Sequence, residues 1–177
     1  MLKDTSWALL FCAAGLAACG DDGGPTGSND PDLTRADVAG QYEMTVLTFD
    51  PQGSGLAEED LLARVDFAHV PELIVAANED SLQLVFRIEG SLLRIVPGTY
   101  DLGDDGITAE LDNATVPGEL LLPQDIAYLF DEEGGTLHFS GTIQADTARL
   151  FELVPEWSGE PVTDPLPGTL TVTFTRD

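Results

Sequence analysis

The stretch ELIVAANEDSLQLVFRIE, residues 72–89, decides the fold class. In its second arm Leu82, Leu84, Phe86 and Ile88 alternate with Gln83, Val85, Arg87 and Glu89, so an extended chain presents one apolar and one mostly polar face. The first arm, residues 72–77, is equally apolar, and Asn78-Glu79-Asp80 supplies a turn between the two. Together they predict an antiparallel hairpin that covers a core with one face.

The same pattern extends in both directions. Residues 169–175, TLTVTFT, alternate Leu170, Val172 and Phe174 with threonines, as a half-buried antiparallel strand does. Residues 43–49, EMTVLTF, are rich in β-branched and aromatic residues and stop at Asp50-Pro51, which makes a first strand. Short apolar segments at 92–96, 98–102, 107–111, 119–123, 126–130, 136–140 and 150–154 follow, punctuated by Gly90, Pro97, Asp105-Gly106 and Gly134-Gly135. Residues 56–65 place Leu61, Leu62 and Val65 on one side of a helical wheel, with Glu58, Glu59 and Asp60 in the first turn, and predict a short amphipathic helix. Eight or more short strands with at most one helix predict an all-β fold over residues 35–177. Sequential hairpins favour an antiparallel up-and-down β-barrel of about eight or more strands, with a β-sandwich as the alternative.

Gly40-Gln41-Tyr42, Pro97-Gly98-Thr99-Tyr100 and the segment FDEEGGTL at 130–137 resemble lipocalin-like, or calycin-type, lipoprotein domains. The family pattern places a Trp where Tyr42 stands here and expects a basic partner on a late strand, for which Arg149 and Arg176 are the candidates. The resemblance implies a ligand cavity lined by alternate strand residues, for which Leu84, Phe86, Leu137 and Phe139 are the expected positions. Trp157, in the loop Pro155-Glu156-Trp157-Ser158-Gly159, is expected either to stack on a ligand or partner or to fold over one end of the barrel as a plug.

Ahead of the domain, Lys3 gives a positive start and residues 7–18 form an uninterrupted apolar run. That run is too short to cross a bilayer, which takes about 20 apolar residues. It fits a secretory signal peptide over residues 1–18. Its end, Leu16-Ala17-Ala18-Cys19, resembles the lipobox of bacterial lipoproteins. The resemblance implies cleavage after Ala18 and transfer of diacylglycerol to the Cys19 thiol, followed by acylation of the new amino terminus, with palmitate among the expected chains. Gly20 rather than Asp follows the cysteine, and in that family this leans toward the outer membrane. Residues 19–34 are Gly, Pro, Asp, Ser and Asn with almost nothing apolar, and are expected to be a disordered tether. Such a coil would hold the domain on the order of 20 Å from the membrane, and about 50 Å at full stretch.

The formal charge is −25. Removal of residues 1–18 takes away Lys3 and Asp4 together, so the mature chain keeps that charge and has no lysine. Such a surface repels phosphate backbones and anionic headgroups, which argues against nucleic-acid partners and leaves the lipid on Cys19 as the membrane contact. Cys12 leaves with the signal, so the folded domain has no thiol for a disulfide, a zinc site or a nucleophile.

Catalytic chemistry finds little support. His69 and His138 are the only histidines, and neither stands at metal-ligand spacing. No Gly-x-Ser-x-Gly elbow is present. Residues 101–112 fail the register of a calcium loop, with Gly103 where a ligand belongs, and Asp105-Gly106 reads better as a hairpin turn. The expectation is a non-enzymatic, lipid-anchored envelope lipoprotein without cofactor or metal, acting as a binding or interaction module toward an envelope protein. A lipocalin-like carrier of a small apolar ligand is the alternative, and a carboxylate-based hydrolase the third.

Overall fold

The computed structural model describes residues 33–112 and 119–177. The expected signal peptide, Ala18, Cys19 and most of the tether lie outside the described residues. Among the described residues nine strands follow one another: β1 (Gly40–Pro51), β2 (Glu59–Asp60), β3 (Phe67–Val75), β4 (Ser81–Ile88), β5 (Arg94–Leu102), β6 (Gly106–Leu111), β7 (Asp125–Asp131), β8 (Thr136–Ala145) and β9 (Leu166–Arg176). They are accompanied by the helices α1 (Arg35–Val38), α2 (Leu61–Arg64) and α3 (Thr147–Leu153) and a 3-10 turn, Pro155–Gly159.

Apart from the two-residue β2, each strand pairs antiparallel with its neighbour in sequence, and β9 returns to pair with β1 from Tyr42↔Arg176 to Pro51↔Gly168. The result is a closed up-and-down barrel of eight strands, β1 and β3 to β9, as the hairpin pattern predicts. Closure gives each of the eight barrel strands a neighbour on both sides over at least part of its length. β2 pairs with β1 at Thr48 and Phe49, where β3 has already diverged.

Alternation builds the core. Leu82, Leu84 and Phe86 of β4, Leu137 of β8, and Leu170, Val172 and Phe174 of β9 point inward and are 0–2% exposed. On β1 the buried set runs Tyr42, Met44, then Leu47, Phe49. A register shift between Met44 and Val46 moves the inward phase by one residue, which is what a β-bulge does. The outer face of β9 carries a polar ladder in which Thr171, Thr173 and Thr175 meet Ser140, His138 and Thr45 at 3.3, 3.1 and 2.9 Å.

Both ends are covered. At the end where β1 begins, Val38 of α1 is fully buried and its carbonyl accepts from the Tyr42 hydroxyl at 2.7 Å. Arg176 lies 5.0 Å above the Tyr42 ring and 5.5 Å from that of Phe130, and donates to the Asp37 carbonyl. Asp37 accepts from the Thr34 hydroxyl and backbone N–H, which holds its carboxyl below the usual range. At the opposite end Trp157 packs on Phe49 with ring centroids 6.5 Å apart, among the buried Leu61, Leu150 and Val154.

Four local expectations are corrected. Residues 56–65 are not one helix: Glu59 and Asp60 satisfy the β1 edge, and Asp60 caps α2 by accepting from the Ala63 N–H at 3.2 Å. Residues 150–154 belong mainly to α3 rather than a strand, because Asp146 caps that turn through the Arg149 N–H at 2.9 Å and Leu150 and Val154 share a helical face. Residues 119–123 are not a strand, and Leu121 takes a left-handed φ of 59° so that Leu120, Leu121 and Leu122 fold inward. Pro97 does not break the chain between two strands but sits within β5. Its carbonyl accepts from the Asp112 N–H just past the end of β6, so the donor it lacks faces a place where the ladder is finishing.

The three tyrosines, Tyr42, Tyr100 and Tyr128, all have phenols raised above the ordinary value of about 10 by burial, Tyr128 furthest. A raised folded-state value means that the neutral phenol is favoured on folding. This contribution is intact below about pH 10 and is lost as the pH rises above it. The urea midpoint should therefore fall on the alkaline side of pH 10, and Tyr128→Phe should flatten the fall. An unchanged alkaline slope in that variant would contradict the burial of the phenol.

Candidate functional site

The barrel wall opens between β7 and β8. The two strands pair at Asp131↔Thr136, Phe130↔Leu137 and Leu129↔His138, and then no further. Continuing the register would set Ala127 against Ser140 and Asp125 against Thr142, yet neither pair forms. The phase of the backbone follows from the Arg176 N–H, which donates to the Gly135 carbonyl at 2.8 Å. Antiparallel strands direct alternate residues to opposite neighbours. Phe139, Gly141 and Ile143 therefore turn their N–H and C=O groups to β9, whereas Ser140, Thr142 and Gln144 turn theirs toward the opening. Pro167 agrees with this phase: it stands opposite Gln144, where no N–H is needed.

On β7 the Phe130 N–H donates to the Asp105 carbonyl of the β6 side, so Asp125 and Ala127 also face the gap. Among the described residues the β7–β8 ladder reaches none of these five. The turn after residue 118 borders the opening. Leu121, Leu122 and Pro123 form its back wall, and Arg149 holds the turn by donating to the Glu119 carbonyl at 2.8 Å.

The floor is apolar. Phe139 and Ile143 lie on the inward side of β8, and both are only partly buried. Gly141 between them lets the Phe139 ring lie along the strand, since a Cβ there would stand 2.7 Å from it. The Phe139 ring meets Tyr128 edge-on at 6.5 Å. The rim is acidic, with Asp125 and Asp146 at the two sides of an open groove of about 580 Å³. A second hollow of about 510 Å³ lies where β1 and β3 diverge, beside Glu43, Asp66 and Phe67.

The structure distributes the expected ligand-facing residues unequally. Leu84, Phe86 and Leu137 lie in the packed core at 0–1% exposure, and only Phe139 lines the groove. Trp157 is 7% exposed and takes the plugging place over Phe49 rather than an open loop position. Of the two arginine candidates for the partner of Tyr42, Arg176 occupies that position, and Arg149 works at the opposite end. His69 lies 3.5 Å from Glu72 on β3, and His138 bonds Thr173 on the outer wall. Among the described residues the carboxyls with resolved shifts, Asp37 and Glu156, are both lowered, the latter by its own backbone N–H and by Arg64.

Sequence reasoning missed Leu121, Leu122, Gly141, Ile143, Asp125 and Asp146 as groove residues. The available signal was the apolar run 120–122 closed by Pro123, which is too abrupt for a ladder strand. Comparisons with protein-family models, with curated proteins and with solved structures found no match.

Proposed function

We propose that the chain is a lipid-anchored lipoprotein of the bacterial cell envelope, on the outer membrane, whose barrel is a non-enzymatic binding module. The anchor rests on Leu16-Ala17-Ala18-Cys19 at the end of a short apolar run. The binding role rests on one observation, the open groove with an apolar floor between β7 and β8, beside the packed core of the barrel. The Tyr42–Arg176 stack that closes one end supports the lipocalin-like reading of the domain. The strong negative charge supports a role away from nucleic acid and anionic surfaces.

A second reading, carriage of a small apolar molecule, draws on the same groove, whose volume falls within the usual range for small-ligand sites of about 300–1,000 Å³. Native mass spectrometry of the full chain extracted from envelope membranes in detergent separates the two. A lipidated chain free of small molecules, or one carrying a protein partner, supports the module. A stoichiometric apolar ligand released by organic solvent favours the carrier. A water-soluble, unmodified chain would overturn both.

A further inference from the structure

We infer that the β7–β8 groove binds an extended, basic peptide segment by strand addition, the segment pairing with the parted edges of both strands and completing the wall. This rests on the binding-module reading and names its partner class. Three observations carry it. The first is hydrogen-bonding pattern: Ser140, Thr142 and Gln144 on one side, and Asp125 and Ala127 on the other, direct backbone donors and acceptors into the opening, beyond the last paired residues of the β7–β8 ladder. Alternate donors and acceptors along an extended edge are what a peptide backbone matches and an acyl chain does not. Residues 140–144 span about 14 Å at the strand rise, room for a segment of about five residues.

The second is the absence of protection. Exposed edges are ordinarily blunted by lysine, proline, a bulge or a charge pointing along the edge. The β8 edge reads Ser140-Gly141-Thr142-Ile143-Gln144, with none of these, and its register with β9 is unbroken from Thr136 to Ala145. The third is charge. Asp125 and Asp146 stand on the rim of a chain with formal charge −25, so a second copy of this chain or any acidic segment would be repelled and lysine or arginine attracted. Inward side chains of the added strand would pack on Phe139 and Ile143, which calls for β-branched or aromatic residues at alternate positions with basic ones between.

The probe is a fluorescein-labelled heptapeptide of alternating valine and lysine, titrated by fluorescence anisotropy against the full-length lipoprotein in neutral detergent micelles. Its comparison is the same peptide N-methylated at the residues whose N–H groups would pair, which keeps charge and side chains but removes the donors. Saturable binding that weakens about tenfold or more on N-methylation is expected. Thr142→Pro, which removes a donor facing the gap, should weaken it similarly. Asp125→Asn with Asp146→Asn should narrow the preference for the lysine peptide over a valine–glutamate counterpart.

Equal binding of the N-methylated peptide would overturn strand addition whatever Thr142→Pro does to folding, and so would lack of peptide binding. If an unlabelled fatty acid binds in the groove beside Phe139 while the peptide does not, the inference falls and the carrier reading takes the place of the module. If neither binds, the groove is no binding site and both readings fall.

Discussion

Replacing Cys19 with serine should move the protein from the membrane pellet to the soluble fraction. Each buried methylene contributes about 0.8 kcal/mol, and one myristoyl chain alone gives only marginal, reversible attachment, so the two or three chains implied by the lipobox resemblance would account for stable anchoring. Beyond residue 18 the sequence has no lysine, the formal charge is −25, and among the described residues no helix is long and apolar enough to cross a membrane. Attraction to anionic lipid therefore cannot hold the serine variant in place. Differential centrifugation with immunoblotting reads the result. A serine variant that still pellets with membranes, and is not released by washing at high salt, would show that the attachment lies elsewhere.

Phe174→Ala should cost about 3–5 kcal/mol, the range for truncating a large aromatic side chain in a core. Phe174 is fully buried on β9, stands opposite both Met44 of β1 and Leu137 of β8, and meets the Tyr128 ring edge-on at 5.9 Å. It thus lies at the seam where the last strand closes on the first. Collapse around the lost ring is restricted, because the ladders on both sides of β9 fix the wall. Since whole domains are stable by only about 5–15 kcal/mol, the variant should unfold at a much lower urea concentration. Phe139→Ala provides the internal comparison. Its ring is only partly buried and borders the groove, so the loss should be clearly smaller. Equal losses at the two positions would mean that Phe139 is core and the groove is closed.

The barrel was legible where alternation is strict. The strands carrying Leu82, Leu84 and Phe86, and Leu170, Val172 and Phe174, each bury every second residue, and a closed meander is the simplest way to cover such faces in chain order. Legibility failed where an apolar run carries no period. Leu120, Leu121 and Leu122 have the composition of a buried strand but act as a folded turn, and residues 150–154 look alike as strand or helix until Asp146 is recognised as a cap. Composition marks β1 but not its bulge, since nothing in Met44-Thr45-Val46 shows where the inward phase changes.

The site was less legible than the fold for a physical reason. A groove formed by two strands that part company depends on where pairing stops, and the turn that borders it comes earlier in the chain. Strand alternation nominated Phe139 together with Leu84, Phe86 and Leu137, since all four share the inward face. It could not distinguish inward residues facing a packed core from one facing an opening. The Tyr42–Arg176 contact is a middle case. A basic partner on a late strand was expected, but the choice between Arg149 and Arg176 depends on which end of the barrel each reaches.

Residue-resolved hydrogen exchange of the free protein by NMR tests the central structural claim most directly, because the opening leaves an alternating imprint on β8. The amides of Phe139, Gly141 and Ile143, bonded to β9, should exchange slowly, and those of Ser140, Thr142 and Gln144, facing the gap, should exchange orders of magnitude faster. Uniformly slow exchange from 139 to 144 would contradict the account, since it would mean that β7 and β8 pair along their whole length and that the barrel has no groove there to bind anything.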